Sequence, residues 1–580
     1  MIVYRDQRSR DDPRHAFSEL RRLTRRYPSD APPHDTARDA LIASGRLEAA
    51  VADTVFPESD GVNPLVEALR AATETAGHLL WHTWHHNGHG AGVWWLRFAR
   101  QLDSIDVRSL PPEVEFLTPE GYAHYAVYPE MYLESARQCV AKLGRIEAVC
   151  LGLRSIGTSL SAAVTAALNE LGCQARSGTL RPRGHPYSRR PIVSDELASR
   201  LRPTAATYYL IVDEGPGISG SSLAGVAALL RSWDVADDRI LLFPSWQTDG
   251  SHLRSAQARA VWRRYRQFTS SFDDVWLRSG RFEKVFPGEV QDISAGEWRR
   301  LLYDIPAQYP PIHPQHERRK YLLQPEARGS TSFLSFAGLG QYGRAKILRA
   351  QRLAAAGFTP EPEALAHGFL QRRFVGGSPV GAEGVTAELL ETVAAYLAHL
   401  CREHTAEPTV SCDSVRKMIA TNLEEGLGQS SSESLLDCLG GEWIERGVAL
   451  DGRMLAHEWI RSSTGYIKVD ALDHHDDHFF PGCQDIAWDL AAAVFELDLV
   501  DHGRDILVQR YRSISGDRTI VQRLPFYSIA YLAFRLGYTT LASATLGDSP
   551  DGGRFVEETR RYTGLIERQL SSSSAGPQHG

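Results

Sequence analysis

The chain has 580 residues, of which 43% are hydrophobic, 23% charged and 9% aromatic. That length points to three or four folded units, each with a core of its own, and the composition excludes a small disulfide or metal scaffold, a disordered chain and a collagen-like one. With 64 basic and 71 acidic residues the net charge is −7, which gives no global electrostatic case for nucleic acid or an anionic membrane as partner. Nearly all the basic residues are arginine, so an arginine-rich stretch by itself signals little.

The first fifteen residues, MIVYRDQRSRDDPRH, are too charged for a signal peptide. The most apolar candidate span, AAAVFELDLV, is broken by Glu496 and Asp498, well short of the ~20 apolar residues that a membrane helix needs. Seven widely spaced cysteines form no CxxC pair, which fits a reduced compartment. A soluble, cytoplasmic protein is the expectation.

In chain order, residues 1–111 read as a helical N-terminal region, with Leu65, Leu69 and Leu80 at helical spacings. Over 112–250 apolar strands, glycine turns and helices repeat: IEAVCLGL then RSIGTSLSAAVTAALNELG, TYYLIVDE then GPGISGSSLAGVAALLRSW, and finally RILLFPSW. This alternation predicts a parallel α/β sheet. Residues 251–316 are aromatic and arginine-rich and end in YPPIHPQHERR, a linker candidate. Residues 317–570 begin strand-like and become helical, and 571–580 form a low-complexity tail expected to be disordered. The fold class expected is multidomain, α/β and α+β.

One constellation lies where a strand ends in Asp213 and Glu214 and a small hydroxylated loop (Gly215, Gly217, Ser219, Gly220, Ser221, Ser222) opens a helix. Backbone N–H groups at such a helix start suit a phosphate, and two carboxylates before it can accept hydrogen bonds from a sugar's hydroxyls. Gly215, Gly217 and Gly220 also satisfy GxGxxG. A dinucleotide fold wants an acidic residue after the next strand, and the strand at 240–245 ends without one. A plain tight turn with solvated carboxylates is the remaining alternative. The segment Val212 to Ser222 resembles the diphosphoribosyl-binding signature of type I phosphoribosyltransferases, with a loop one residue longer and Ser219 in place of the common threonine. The resemblance implies a substrate, phosphoribosyl diphosphate with Mg²⁺, whose ribose hydroxyls lie on Asp213 and Glu214 and whose 5′-phosphate lies on Ser219 to Ser222. The upstream turn Arg154-Ser155-Ile156-Gly157-Thr158-Ser159 is similar to that family's pyrophosphate loop. It implies Arg154 and the amides near Gly157 and Thr158 on the leaving group. Arg181, Arg183 and His185 fall in a basic segment where the family keeps a mobile loop. The acceptor is not readable; Tyr122, Tyr125, Tyr128 and Glu130 are candidates to line its pocket.

A second constellation comprises His457-Glu458-Trp459, the strand Tyr466 to Asp470, and Asp485-Ile486-Ala487-Trp488-Asp489-Leu490-Ala491. Their order resembles the aminoglycoside phosphotransferase branch of protein-kinase-like folds. It implies Asp470 as a metal-binding residue and places Asp485 and Asp489 on the family's later helix. Trp459 stands where that family has its catalytic aspartate, Thr464 stands where it has a metal-binding asparagine, and no ATP-contacting lysine occurs in the Phe333 to Phe336 strand. A degenerate kinase-like domain is expected, in which Glu458 can contribute to a remodelled site.

The expected function is therefore phosphoribosyl transfer to an unknown acceptor. The alternatives are a non-catalytic nucleotide or phosphosugar regulator, or a small-molecule phosphotransferase working with ATP through the C-terminal half. Two histidine clusters, at 78–89 and 474–478, are further metal candidates without an HExxH framework.

Overall fold

The structure is a computed structural model that describes residues 1–5, 7–27, 31–202, 204, 206–217, 219–324, 329–381, 384–428 and 447–574. The fold is mixed α/β, and the chain divides into two compact units. An α/β unit comprises 8–287 with 338–343, and a C-terminal unit comprises 1–7, 288–337 and 344–580.

In the α/β unit β1 (Arg8–Asp11) precedes four helices, α1 (Pro13–Arg26), α2 (His34–Val55), α3 (Pro64–His85) and α4 (Ala91–Ser104). Then come β2 (Val114–Leu117), which pairs antiparallel with β1, and α5 (Glu120–Ala123), α6 (Pro129–Leu143), β3 (Glu147–Leu153), α7 (Ile156–Glu170) and β4 (Gln174–Leu180). The short antiparallel strands β5 (Pro182–Arg183) and β6 (Arg190–Pro191) lead to α8 (Asp195–Leu201). They are followed by β7 (Tyr208–Val212), α9 (Ser221–Ser232), β8 (Ile240–Phe243), α10 (Ala256–Arg264), β9 (Arg266–Gln267) and α11 (Arg281–Val285). Five strands form one parallel sheet in the order β4-β3-β7-β8-β9. Residues 148–153 of β3 are all buried, as an interior parallel strand covered on both faces requires.

The helices of 8–111 do not form a separate domain. Both α2 and α3 pack on α7 at glycines: a Cβ on Gly45 would stand 2.7 Å from the Ser159 Cβ, and one on Gly77 2.7 Å from the Ala162 carbonyl. Helices α2 and α3 thus cover α7, which itself packs on β3 and β4.

The C-terminal unit opens with β10 (Glu289–Asp292), β11 (Lys320–Gln324) and β12 (Ser332–Phe336), then α12 (Gln341–Ala355), β13 (Pro362–Ala366) and β14 (Phe369–Arg373). These strands make an antiparallel sheet in the order β10-β11-β12-β14-β13. Next come β15 (Ser378–Pro379), α13 (Ala387–Glu403), α14 (Cys412–Leu427), β16 (Gly447–Val448), β17 (Trp459–Ser462), β18 (Gly465–Lys468) and β19 (Gln484–Asp485). Four helices close the chain: α15 (Ala487–Glu496), α16 (Asp501–Ser515), α17 (Ile520–Leu546) and α18 (Pro550–Ser574). Their core gathers Tyr396, Trp459, Trp488 and Tyr531.

Residues 251–316 do not behave as one extension and linker. Their first part stays with the α/β unit, where Trp262 and Tyr265 are buried. From 288 the chain belongs to the C-terminal unit, and the proline cluster is anchored there: Ile312 and His313 are buried and Arg299 pairs with Asp551 at 2.7 Å. The helix α18 takes in 571–574, and the rest of the expected tail lies outside the described residues, as does Cys438. Cys139, Cys150, Cys173, Cys412 and Cys483 are free thiols. Among the described residues no helix is long and apolar enough to cross a membrane.

Candidate functional site

In the α/β unit β3 and β7 are neighbours, with Gly152 opposite Val212. The turn beginning at Arg154 and the turn beginning at Asp213 therefore open from one edge of the sheet. They are held close by small residues, since a Cβ on Gly157 would stand 2.6 Å from the Val212 carbonyl. Ser155, at φ 124°, takes a backbone conformation that costs a non-glycine residue on the order of 1 kcal/mol.

The arginines assigned to a diphosphate are engaged by the protein itself. Arg154 is 3% exposed, lies 2.9 Å from Asp53 and pairs with Asp60. Arg181 pairs with Asp53 and donates its backbone N–H to Asp60 at 2.7 Å, while Arg183 pairs with Asp60 at 2.9 Å. Thr158 and Ser159 are buried in the first turn of α7, under Gly45 of α2, and Tyr122 shares a 2.7 Å hydrogen bond with Ser159. The expected acceptor wall is likewise internal except for Tyr125, which is partly exposed. Tyr122 and Tyr128 are buried, and Glu130 is held by His34 at 2.7 Å and Arg38 at 3.2 Å.

The second turn is more open. Gly217 is exposed, and Ser219 and Ser222 are partly exposed. Gly220 has φ 62° and caps α9, and the Ser221 hydroxyl donates to the Pro186 carbonyl at 2.6 Å. The Glu214 carboxylate accepts the Gly121 N–H at 2.9 Å. Burial, partly opposed by the Glu214 backbone, pushes Asp213 up to about 7. Burial together with Glu120 and Asp213 pushes Glu214 up to about 8.

Both groups bind protons more tightly in the folded chain, so their contribution to stability falls as pH rises from about 4 to about 8. The double replacement Asp213→Asn/Glu214→Gln is therefore expected to stabilise the unit by on the order of 1–2 kcal/mol at pH 8 and by little at pH 4. Thermal unfolding at the two pH values checks this, and an equal effect at both would contradict it.

In the C-terminal unit a cavity of about 220 Å³ is lined by seven basic and five acidic side chains, alongside apolar Phe333, Val375 and Ile460. Asp473 on its wall is held by Arg318 at 2.9 Å and by Lys346, from α12, at 3.4 Å. Asp477 lies 3.4 Å from Arg453, and Glu317 lies 3.1 Å from Lys320. Arg372, on β14, is 4% exposed. Its guanidinium donates to the Val469 carbonyl at 3.2 Å, its Nε has no hydrogen-bond partner, and no carboxylate pairs with it among the described residues. It stacks over Phe333 at 5.3 Å, and burial lowers its pKa.

The motif residues of this half have separated roles. Asp489 is fully buried and accepts the backbone N–H groups of Asp451 and Gly452, both at 2.8 Å. It thereby fastens a loop that begins eight residues before Trp459. Asp485 pairs with Arg523 at 3.0 Å and accepts the N–H of Ala487, the first residue of α15, at 2.8 Å; it lies outside the cavity lining. Trp459 is core, and Thr464 lies between β17 and β18. Glu458 and Asp470 face the cavity. So does His457, which stacks on Trp298 and is pushed down to about 3 by burial and by Lys468 and Lys320.

Asp451, Lys468, Lys346 and Arg372 did not stand out in the sequence as site residues. The one local signal was Asp451 itself, an aspartate after Val-Ala-Leu and before glycine.

The site does not fit the Mg²⁺ that the kinase resemblance implies at Asp470. Ligand atoms of Glu458, Asp470 and His474 lie within 4.8 Å of one another. The Lys468 ammonium, however, already contacts the Glu458 carboxylate and the Asp470 carbonyl, and lies 3.1 Å from Asp451. His474 donates to the Asp451 carbonyl at 2.9 Å. Burial and Arg453 lower its pKa, but Asp470, Asp451 and Glu458 outweigh them and push it up to about 9; its Nε2 lies 3.8 Å from Asp470.

The other histidine cluster is engaged by a glutamate and an aromatic ring. His78 and His82 share Glu170 at 2.7 and 3.2 Å, and His78 stacks on Trp94 at 4.0 Å.

No family model matches the chain, and no curated protein matches it. Among solved structures it is similar to choline kinase LicA from Streptococcus pneumoniae, at 13% identity and TM-score 0.33, over 50% of this chain and 98% of that one. It is similar to an ethanolamine kinase from Plasmodium vivax at 10% identity and TM-score 0.33, over 60% of this chain and 95% of that one. A thermostable mutant of an aminoglycoside phosphotransferase, in ternary complex with ADP and hygromycin B, gives 12% identity and TM-score 0.33 over 51% and 98%. At these TM-scores the likenesses carry no argument, and the functional conclusion rests on the chain's own residues.

Proposed function

We propose that the C-terminal unit binds a nucleoside triphosphate in its cavity and acts as a small-molecule phosphotransferase. The observation that carries this is Arg372, a buried guanidinium on the cavity wall that makes no ion pair within 4 Å among the described residues, Asp470 and Asp473 acting on it only from further off. Leaving such a charge unpaired is costly, and a phosphate oxygen is the acceptor its fork geometry matches. The excess of basic over acidic groups and the apolar Phe333, Val375 and Ile460 suit a ligand with one anionic and one apolar end.

Asp470 is the wall carboxylate with the weakest pairing. Its carboxylate contact is His474 at 3.8 Å, and the side chain is 38% exposed. It is the group placed to accept a hydrogen bond from an acceptor hydroxyl. That oxygen forms a bond to the terminal phosphorus, the bond to the nucleoside diphosphate breaks, and the hydroxyl proton passes to Asp470.

Calorimetry with ATP is expected to show binding that Arg372→Met weakens at least about tenfold, which is about 1.4 kcal/mol. A native protein that takes up neither ATP nor ADP would end this proposal.

A second reading is favoured by one observation, the placement of the Arg154 and Asp213 turns on the same sheet edge. Phosphoribosyl diphosphate with Mg²⁺ would place its ribose on Asp213 and Glu214 and its phosphate on Ser219 to Ser222. Its diphosphate would compete with Asp53 and Asp60 for Arg154, Arg181 and Arg183. Absence of binding heat with this ligand would remove the reading.

A further inference from the structure

We infer that the cleft of the C-terminal unit holds its phosphate ligand without a divalent cation, because Lys468 is a built-in cation at the carboxylates a metal would need. This rests on the proposal that the cleft binds a nucleotide.

Lys468 ends β18, where alternation buries Tyr466 and Lys468 and leaves Gly465 and Ile467 partly exposed. Pairing with Trp459 of β17 fixes its register, and its side chain is fully buried. A buried ammonium is tolerated only when its donors are met. Lys468 has three donors and three acceptors: Asp451 at 3.1 Å, the Glu458 carboxylate and the Asp470 carbonyl. The set is closed.

The remaining wall carboxylates are also matched by fixed cations, Asp473 by Arg318 and Lys346, and Asp477 by Arg453. Asp470 is left with His474 at 3.8 Å; Mg²⁺ on a nucleotide takes one or two protein carboxylates beside the phosphates, and the second within reach, Glu458, is held by Lys468. A metal sharing Glu458 would also face the Lys468 charge at short range in a medium of low dielectric. The same ammonium relieves the repulsion that Asp451 and Glu458 would exert on a phosphate chain, which is the service a divalent ion ordinarily performs at such a site. Lys468 acts through these carboxylates and does not line the cavity; it is a positioning residue.

The test is ATP titration of the full chain, once in EDTA and once in Mg²⁺, with Arg372→Met as the control that assigns the heat to this cleft. Affinities within about threefold of each other are expected. Binding at least about tenfold tighter with Mg²⁺ overturns the inference while leaving nucleotide binding intact. No binding in either buffer overturns the proposed function, and this inference with it.

Lys468→Met removes the resident cation. If it folds, its ATP affinity is expected to become Mg²⁺-dependent by at least about tenfold, and a folded variant indifferent to Mg²⁺ overturns the inference. If the variant does not fold, the wild-type comparison decides.

Discussion

Replacing Arg154 with methionine is expected to destabilise the α/β unit by about 3–5 kcal/mol, the cost of leaving a buried ion pair with one partner. Asp60 is 1% exposed and would keep only Arg183 and the Arg181 N–H, so the lower end of that range is the better expectation. Asp53 would retain Arg181. Urea unfolding measures the loss, and adding Asp60→Asn should recover part of it, because the uncompensated charge is then gone. A loss below about 1 kcal/mol would show that the guanidinium is not structural. The measurement also separates two roles for one residue. An arginine kept for a diphosphate would change ligand affinity and leave the midpoint nearly unmoved.

Asp489→Ala is expected to cost about 3 kcal/mol or more in the C-terminal unit, since it strips the acceptor from two buried backbone N–H groups at about 1–3 kcal/mol each. Both bonds are 2.8 Å, and the carboxylate is fully buried. Hydrogen exchange offers a local readout: the amides of Asp451 and Gly452 should lose protection before the rest of the unit does. Unchanged exchange at these two amides in a folded variant would mean that something else holds the loop. ATP affinity should fall in the same variant, because Arg453, Leu455 and Glu458 reach the cavity from the segment this loop begins.

The parallel sheet was readable because interior strands covered on both faces must be apolar runs. IEAVCLGL, TYYLIVDE and RILLFPSW mark β3, β7 and β8 to within three residues. The helices α7 and α9 were legible from the glycine and serine turns that start them. Asp489 was picked out by its place in the Asp485 to Ala491 segment, although its role, to hold Asp451 and Gly452, was not. The assignment of Arg154, Arg181 and Arg183 to a ligand had no way of including Asp53 and Asp60, since 94 residues separate Arg154 from Asp60 and nothing local distinguishes a paired arginine from a free one. The division of 251–316 between two units was hidden for a similar reason. A proline cluster breaks helices whether it links domains or packs against one, and the burial of Ile312 and His313 is a tertiary fact.

Family resemblances, in part or whole, singled out Asp213, Glu458, Asp470 and Asp489, whereas length and periodicity determined that this chain is a multi-unit α/β protein with glycine turns after its strands. Those properties follow from local backbone preference and from which faces must leave water. Tertiary structure alone decided which charges meet. It closed Arg154, Arg181 and Arg183 onto Asp53 and Asp60, left Arg372 on a cavity wall without an ion pair among the described residues, and set Lys468 among Asp451, Glu458 and Asp470. Ionic and hydrogen-bonding energies depend on distance and on the exclusion of solvent, and a sequence specifies neither until it has folded.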